Sequence, residues 1–164
     1  MKEIRTAKLE DLEAIIKIYN QAVNSKFETA DTTEIKTADR TEWFLKHEPD
    51  KYPIFIYEKQ GEVLGWLSIS PYREGREALK YTAEISYYIH RKYKRQGIGS
   101  KLIEHVLLAG KELGYKTIFA IILDKNTASI ELLKKFGFTE WGHMPDVADF
   151  NGEECGHIYM GRRL

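Results

Sequence analysis

The sequence predicts an α/β fold in which helices flank a mixed β-sheet, and three observations carry that expectation. Strand-like and helix-like segments alternate along the 164 residues. Two short turns, "KQG" at 59–61 and "NG" at 151–152, each join two strand-like runs, so part of the sheet is antiparallel. The run "TIFAIIL", Thr117 to Leu123, is continuously apolar, as in a strand covered on both faces.

In chain order, residues 3 to 7 read as a short strand. Leu9, Leu12, Ile15, Ile16, Tyr19 and Val23 then recur at helical spacing and give an amphipathic helix. A polar stretch from Asn24 to Lys36 follows. Thr37 is expected to cap a second helix through Trp43, Phe44 and Leu45, which stops before Pro49 because the residue preceding a proline avoids the helical region. "IFIYE" and "EVLGWLSIS" are strands, "PYREGREALK" a charged loop, and "YTAEISYYI" a strand dense in β-branched and aromatic residues. From Gly97 to Leu113 the positions Leu102, Ile103, Val106, Leu107 and Leu113 form one stripe, a helix packed on a sheet. After the strand at 117–123, Asn126 to Phe136 is a short helix stopped by Gly137, and "FTEWGHMPDV" and "CGHIYMGR" are the strands around the Asn151-Gly152 turn. The order is strand, two helices, three strands, helix, strand, helix, two strands. With no repeat and no linker composition, residues 1–164 are expected to form a single domain.

Composition excludes several function classes. Lys plus Arg number 25 and Asp plus Glu 25, so no global positive field exists to hold nucleic acid or an anionic membrane. No run reaches the ~20 apolar residues of a membrane span, and the N-terminus has no apolar signal core. One cysteine, Cys155, allows no disulfide, which fits a reducing cytoplasm, and it sits in a polar stretch with no activating partner. His47, His90, His105, His143 and His157 show no paired metal-ligand spacing, so no metal is expected.

The segment "KYKRQGIGSKL", Lys92 to Leu102, carries the chemistry. Its four nearby cations, Arg91, Lys92, Lys94 and Arg95, could be a nucleic-acid patch or a solvated loop. A phosphate cradle has the stronger physical argument. The first N–H groups of a helix lack internal partners, glycines let a diphosphate approach the backbone, and the helix dipole adds attraction. The spacing matches neither a Walker loop nor the three-glycine dinucleotide fingerprint.

Lys94-Arg95-Gln96-Gly97-Ile98-Gly99 resembles the acetyl-CoA loop of the GNAT acyltransferase superfamily, Gln/Arg-x-x-Gly-x-Gly/Ala, with Lys94 at the Gln/Arg position. "NTASIELLKKFGF", Asn126 to Phe138, resembles the fourth-helix signature of the same superfamily. "IYNQAV" and "REALKYTAEISYYI" extend the likeness nearly end to end, towards the phosphinothricin and methionine sulfoximine acetyltransferases. The resemblance implies a GNAT fold: a mixed central sheet of about six to seven strands, a splayed parallel pair, about four helices and often a homodimer. It implies transfer of an acetyl group from acetyl-CoA to the amine of a small-molecule, amino-acid-like acceptor.

Residue by residue, it assigns Glu84 as the general base and Tyr87, Tyr88 and Ile89 as the backbone that holds the pantetheine arm. Arg95, Gln96, Gly97, Ile98, Gly99 and Ser100 hold the diphosphate, and Asn126 touches the cofactor, a role compatible with capping its helix. Glu84 has a competing reading as a strand-edge carboxylate paired with Arg76 or a lysine, and the Tyr87 and Tyr88 hydroxyls can equally be plain packing groups. Arg76, with Glu74 and Gly75 shaping its loop, matches the family's substrate loop and could grip a carboxylate, or could be a solvated arginine. Three positions depart from pattern: Leu133 stands where a Tyr or His would protonate the leaving thiolate, Ala30 replaces a phenylalanine, and Gly156 an acidic residue. Acetylation of a polyamine or peptide amine, and a catalytically weak acyl-CoA-binding module, are the competing functions. A polyamine site would need an acidic pocket, whereas Arg76 favours an anionic acceptor.

Overall fold

The protein was analysed as a computed structural model that describes residues 3–164. The elements are β1 (Ile4–Thr6), α1 (Leu12–Val23), α2 (Thr41–Leu45), β2 (Ile54–Lys59), β3 (Glu62–Pro71), β4 (Thr82–Ile89), α3 (Ile98–Glu112), β5 (Thr117–Leu123), α4 (Thr127–Lys135), β6 (Thr139–Asp149) and β7 (Glu154–Arg163). The seven strands form one sheet in the order β1-β2-β3-β4-β5-β7-β6. Every neighbouring pair is antiparallel except β4 and β5, which run parallel. The expected element order and mixed sheet are therefore present.

Each helix buries the stripe its spacing defines. α1 sets Ile15 and Ile18 against Ile54, Ile56 and Trp66 on one face of the sheet. α3 sets Leu102, Ile103 and Val106 against the other face, where Leu67, Ile69, Ile85 and Ile118 stand. Burying each such side chain contributes about 2 kcal/mol relative to leaving it in water. The β6–β7 turn is made as expected, with positive φ at Asn151 and Gly152.

One local expectation fails. Thr37 does not cap a helix; it lies inside a 3₁₀ turn over Thr37–Arg40 that precedes α2, and Lys36, extended and without a side-chain capping bond, stands at the boundary. A threonine before an apolar run is only a local signal, and the packing of Trp43 near Trp66 sets where this chain turns helical.

Candidate active site

β4 and β5 are paired only from Thr82 opposite Thr117 to Glu84 opposite Phe119. Beyond that point β4 keeps its bonds to β3 and β5 keeps its bonds to β7, while their facing edges diverge. The divergence opens a cleft of about 670 Å³ whose walls are the two strand ends, the start of α3 and the first turns of α4. Unpaired strand edges inside a protein need hydrogen-bond partners, and an extended chain of amides would supply them.

The cleft collects most of the predicted residues. Tyr87, Tyr88 and Ile89 line it from β4, and Arg95, Gly97, Ile98, Gly99 and Ser100 from the loop and first turn of α3. Gly97 is the N-cap of α3 at φ 80, a left-handed conformation that only glycine adopts without strain, so the turn aims the free N–H groups of the first helical residues into the opening. Asn126 lines the cleft and also caps α4, its Oδ1 accepting from the Ser129 amide at 3.3 Å, so the expected cap is made by a residue that stays at the cleft wall. Gln96 is not brought in; it is exposed, and its Nε2 donates to the Lys92 carbonyl at 3.3 Å. Glu74, Gly75 and Arg76 lie in the exposed loop between β3 and β4 and do not line the cleft.

Glu84 stands at the fork where β4 and β5 part and lines the cleft. Its side chain forms no hydrogen bond or ion pair among the described residues, so pairing with Arg76 or a lysine does not occur, and burial pushes its carboxyl above the usual glutamate range. Because strand side chains alternate, Glu84 and Tyr88 share one face of β4 and Tyr87 takes the other. Tyr87 reaches α4, where its hydroxyl donates to the Ser129 carbonyl across a long 3.4 Å, and burial pushes its phenol up to about 12. Tyr88 packs edge-on to Tyr19 at 4.9 Å.

The departures from pattern have physical form. Leu133 is fully buried in the core on the α3 side of the sheet and does not reach the cleft. Gly156 is crowded: a Cβ there would come within 2.6 Å of His143 Nε2 and of the Met144 carbonyl, and 2.7 Å of Asp124 Oδ2, so no acidic side chain fits. Ala30 lines the cleft mouth. Cys155 is buried, and burial pushes its thiol up, away from reactivity.

Sequence reasoning missed Glu28, Thr29, Ser129 and His157 as cleft residues. Glu28 pairs with Lys94, which ties the stretch after α1 to the phosphate loop. Only Ser129 carried a signal, its place three residues after the capping Asn126; the others arrive through long-range contacts.

The donor set fits a CoA thioester: free helix N–H groups beside Lys94 and Arg95 for a diphosphate, and open strand edges for an amide-bearing arm. Among the described residues no three His, Cys, Asp or Glu side chains are grouped to hold a metal ion, and no helix is long and apolar enough to cross a membrane.

Comparison with known proteins places this geometry. Residues 12–138 match the model of the acetyltransferase (GNAT) family. The Bacillus subtilis (strain 168) protein YwnH is 36% identical over 162 residues, 98% of each chain. An L-methionine sulfoximine/L-methionine sulfone acetyltransferase of Salmonella typhimurium is 32% identical over 161 residues, 98% of this chain and 94% of the other. The crystal structure of a GNAT superfamily phosphinothricin acetyltransferase from Sinorhizobium meliloti in complex with acetyl-CoA is similar, with a TM-score of 0.91 at 26% identity, covering 98% of this chain and 87% of that one.

Proposed function

The chain belongs to the acetyltransferase (GNAT) family, and from that premise we propose that this acetyl-CoA-dependent N-acetyltransferase acts on the α-amine of a small acceptor of the methionine sulfone, methionine sulfoximine or phosphinothricin type. The observation that carries the reading is Glu84, a half-buried carboxylate with no hydrogen-bond or ion-pair partner for its side chain among the described residues, set where the cleft begins.

Acetyl-CoA supplies an acyl group activated as a thioester. The amides at the start of α3, with Lys94 and Arg95 beside them, bind its diphosphate, and the open edge of β4 at Tyr87 to Ile89 binds its arm and offers an N–H to the thioester oxygen. An α-ammonium has a pKa of about 7.7–8.0, so at neutral pH only a minority is nucleophilic. Glu84 takes the amine proton, directly or through one water. On the opposite face of β4, Tyr87 holds a proton at its hydroxyl beside α4 and donates it to the departing sulfur, the role Leu133 cannot fill. Tyr87 is then reprotonated from water.

The supporting features extend to the whole chain. We read residues 1–164 as one domain, working in the cytoplasm without a metal; the reduced, buried Cys155 fits that compartment. A homodimer formed through β6 is the expected assembly, because this edge strand leaves Trp141, Met144 and Val147 exposed.

Substituting Glu84→Gln and following kcat/KM against pH tests the central role. A base must be ionised, so wild-type activity rises with pH through a carboxyl pKa lying above the usual glutamate range. The variant should lose that limb and fall about a hundredfold or more. Undiminished turnover at every pH would remove Glu84 from the reaction.

A further inference from the structure

Between α1 and α2 the chain makes a loop whose ends are drawn together by Asn20: its Nδ2 donates to the Ile35 carbonyl at 2.9 Å, and its Oδ1 accepts from the Ile35 amide at 3.0 Å. The part that projects beyond this closure carries Glu28, Thr29 and Ala30 into the wall of the cleft. Its tip, Lys26 to Glu28, is attached on two sides. Lys26 pairs with Glu153 of the β6–β7 turn, and Lys125, between the cleft residues Leu123 and Asn126, pairs with the same glutamate at 3.1 Å. The Phe27 ring meets Phe150 edge-on at 5.1 Å, and the Lys125 ammonium lies 4.8 Å from the Phe27 centroid. Glu28 goes the other way, to Lys94 in the phosphate loop. Lys26 at φ 57 and Phe27 at φ 63 are successive left-handed residues, a backbone that side chains of this size rarely adopt, so the contacts on the two sides hold the tip in place.

The two attachments are unequal. On the hairpin side two ammoniums share one carboxylate and two rings pack together, at residues that do not line the cleft. On the loop side a single ion pair joins Glu28 to Lys94, and both members line the cleft. Their side chains are 30% and 39% exposed, so water weakens the attraction. Lys94 is also the cation that stands beside the first turn of α3, where the amides of Ile98, Gly99 and Ser100 have no partner within the helix. A diphosphate seated on those amides brings more negative charge to the same ammonium than one carboxylate does. The Glu28 carboxylate would then face a like charge across the cleft.

We propose that Glu28 is an internal competitor of the cosubstrate's diphosphate. In the free protein it occupies Lys94 and latches the strap of residues 26–28 to the phosphate loop; the diphosphate takes Lys94 in its place, and the strap comes free of that loop while its hairpin anchor stays made. The proposal rests on the acetyl-CoA reading above and adds a residue that restrains cosubstrate binding and couples it to a movement of the cleft wall at Thr29 and Ala30. Its sign is the opposite of an ordinary binding residue: removing the Glu28 charge should strengthen binding, since the cosubstrate no longer has to break an ion pair to reach Lys94.

Calorimetric titration of CoA into the full chain compares the wild type, Glu28→Gln, Lys94→Ala and the double variant. Glu28→Gln should bind CoA about threefold to fivefold more tightly at low salt, the size of a partly exposed ion pair, and the gain should shrink as salt screens the pair. In the Lys94→Ala background the same substitution should gain less than about twofold, because the carboxylate no longer holds the cation that the ligand needs. In the wild type, cleavage after Glu28 by a glutamate-specific protease, read by mass spectrometry, should be faster with CoA bound. Equal gains in the two backgrounds would reduce Glu28 to a repulsive charge and overturn the latch. Unchanged or weaker binding by Glu28→Gln, or cleavage that CoA does not accelerate, would overturn it too. The full expected pattern without acetyl transfer to any amine would refute the transferase reading and keep the latch; acetyl transfer with CoA affinity indifferent to Glu28→Gln would do the reverse.

Discussion

At the residue scale, the proposed reaction is divided between two side chains three positions apart on β4. An odd spacing on a strand puts them on opposite faces, so Tyr87 meets α4 and Glu84 is turned to the other face, where the proposal sets the acceptor. Both faces are open at that point because the β4–β5 ladder ends at Glu84. Tyr87→Phe should leave acetyl-CoA binding intact and lower kcat about a hundredfold, the low end for general acids, since a thiol is already a fair leaving group. A second readout is the pKa of the bound CoA thiol, followed by the pH dependence of CoA binding in calorimetry; it should rise when the phenol is removed. An unaltered kcat and thiol pKa would reduce Tyr87 to packing. Glu84 was legible in the sequence as a lone carboxylate in an apolar strand. Its freedom from Arg76 was not, because that depends on where a charged loop settles. The burial of Leu133 was equally hidden, although the substitution itself was plain.

At the element scale, the proposal has the loop from Lys92 to Ser100 bind the diphosphate through its backbone more than through its charge. Gly97 must take φ 80 to turn the chain into α3, and a β-branched residue there is strained whatever space surrounds it. Lys92 lies outside the cleft, its ammonium over the Tyr93 ring 5.3 Å from the centroid. Gly97→Val should therefore weaken acetyl-CoA binding by more than tenfold, whereas Lys92→Ala should change it by less than threefold at moderate salt, as expected for one screened surface charge. Calorimetric titration separates the two, and equal losses would return the loop to a simple charge cluster. The strands and helices were legible because hydrophobic period and turn chemistry are local. The fork between β4 and β5 was expected only through the family resemblance, as a splayed parallel pair, and a cavity of about 160 Å³ beneath α2 was not expected at all. They arise from pairing between segments far apart in the chain, and the misplaced Thr37 cap shows tertiary packing overriding a local signal in the same region.

At the scale of the whole molecule, the sheet order sets the cleft between an antiparallel β1–β4 half and a β5–β7–β6 half, and the proposed reaction uses that one fork for cosubstrate and acceptor. The β6 edge, with Trp141 half exposed, is the surface a second copy would cover. Sedimentation velocity should give a dimer, and Met144→Lys should shift it towards monomer; a wild-type monomer at micromolar concentration would contradict that assembly. Neutral composition was legible from the sequence alone, but the placement of Arg76 in an exposed loop outside the cleft was not, because it depends on where a charged loop settles. The most direct test of the account is acceptor-dependent release of CoA from acetyl-CoA across amino acids, their sulfone, sulfoximine and phosphinic analogues, polyamines and peptides. Fast release with the oxygenated amino-acid analogues and little with polyamines is the predicted result. Tight acetyl-CoA binding with no release in the presence of any of them would contradict it.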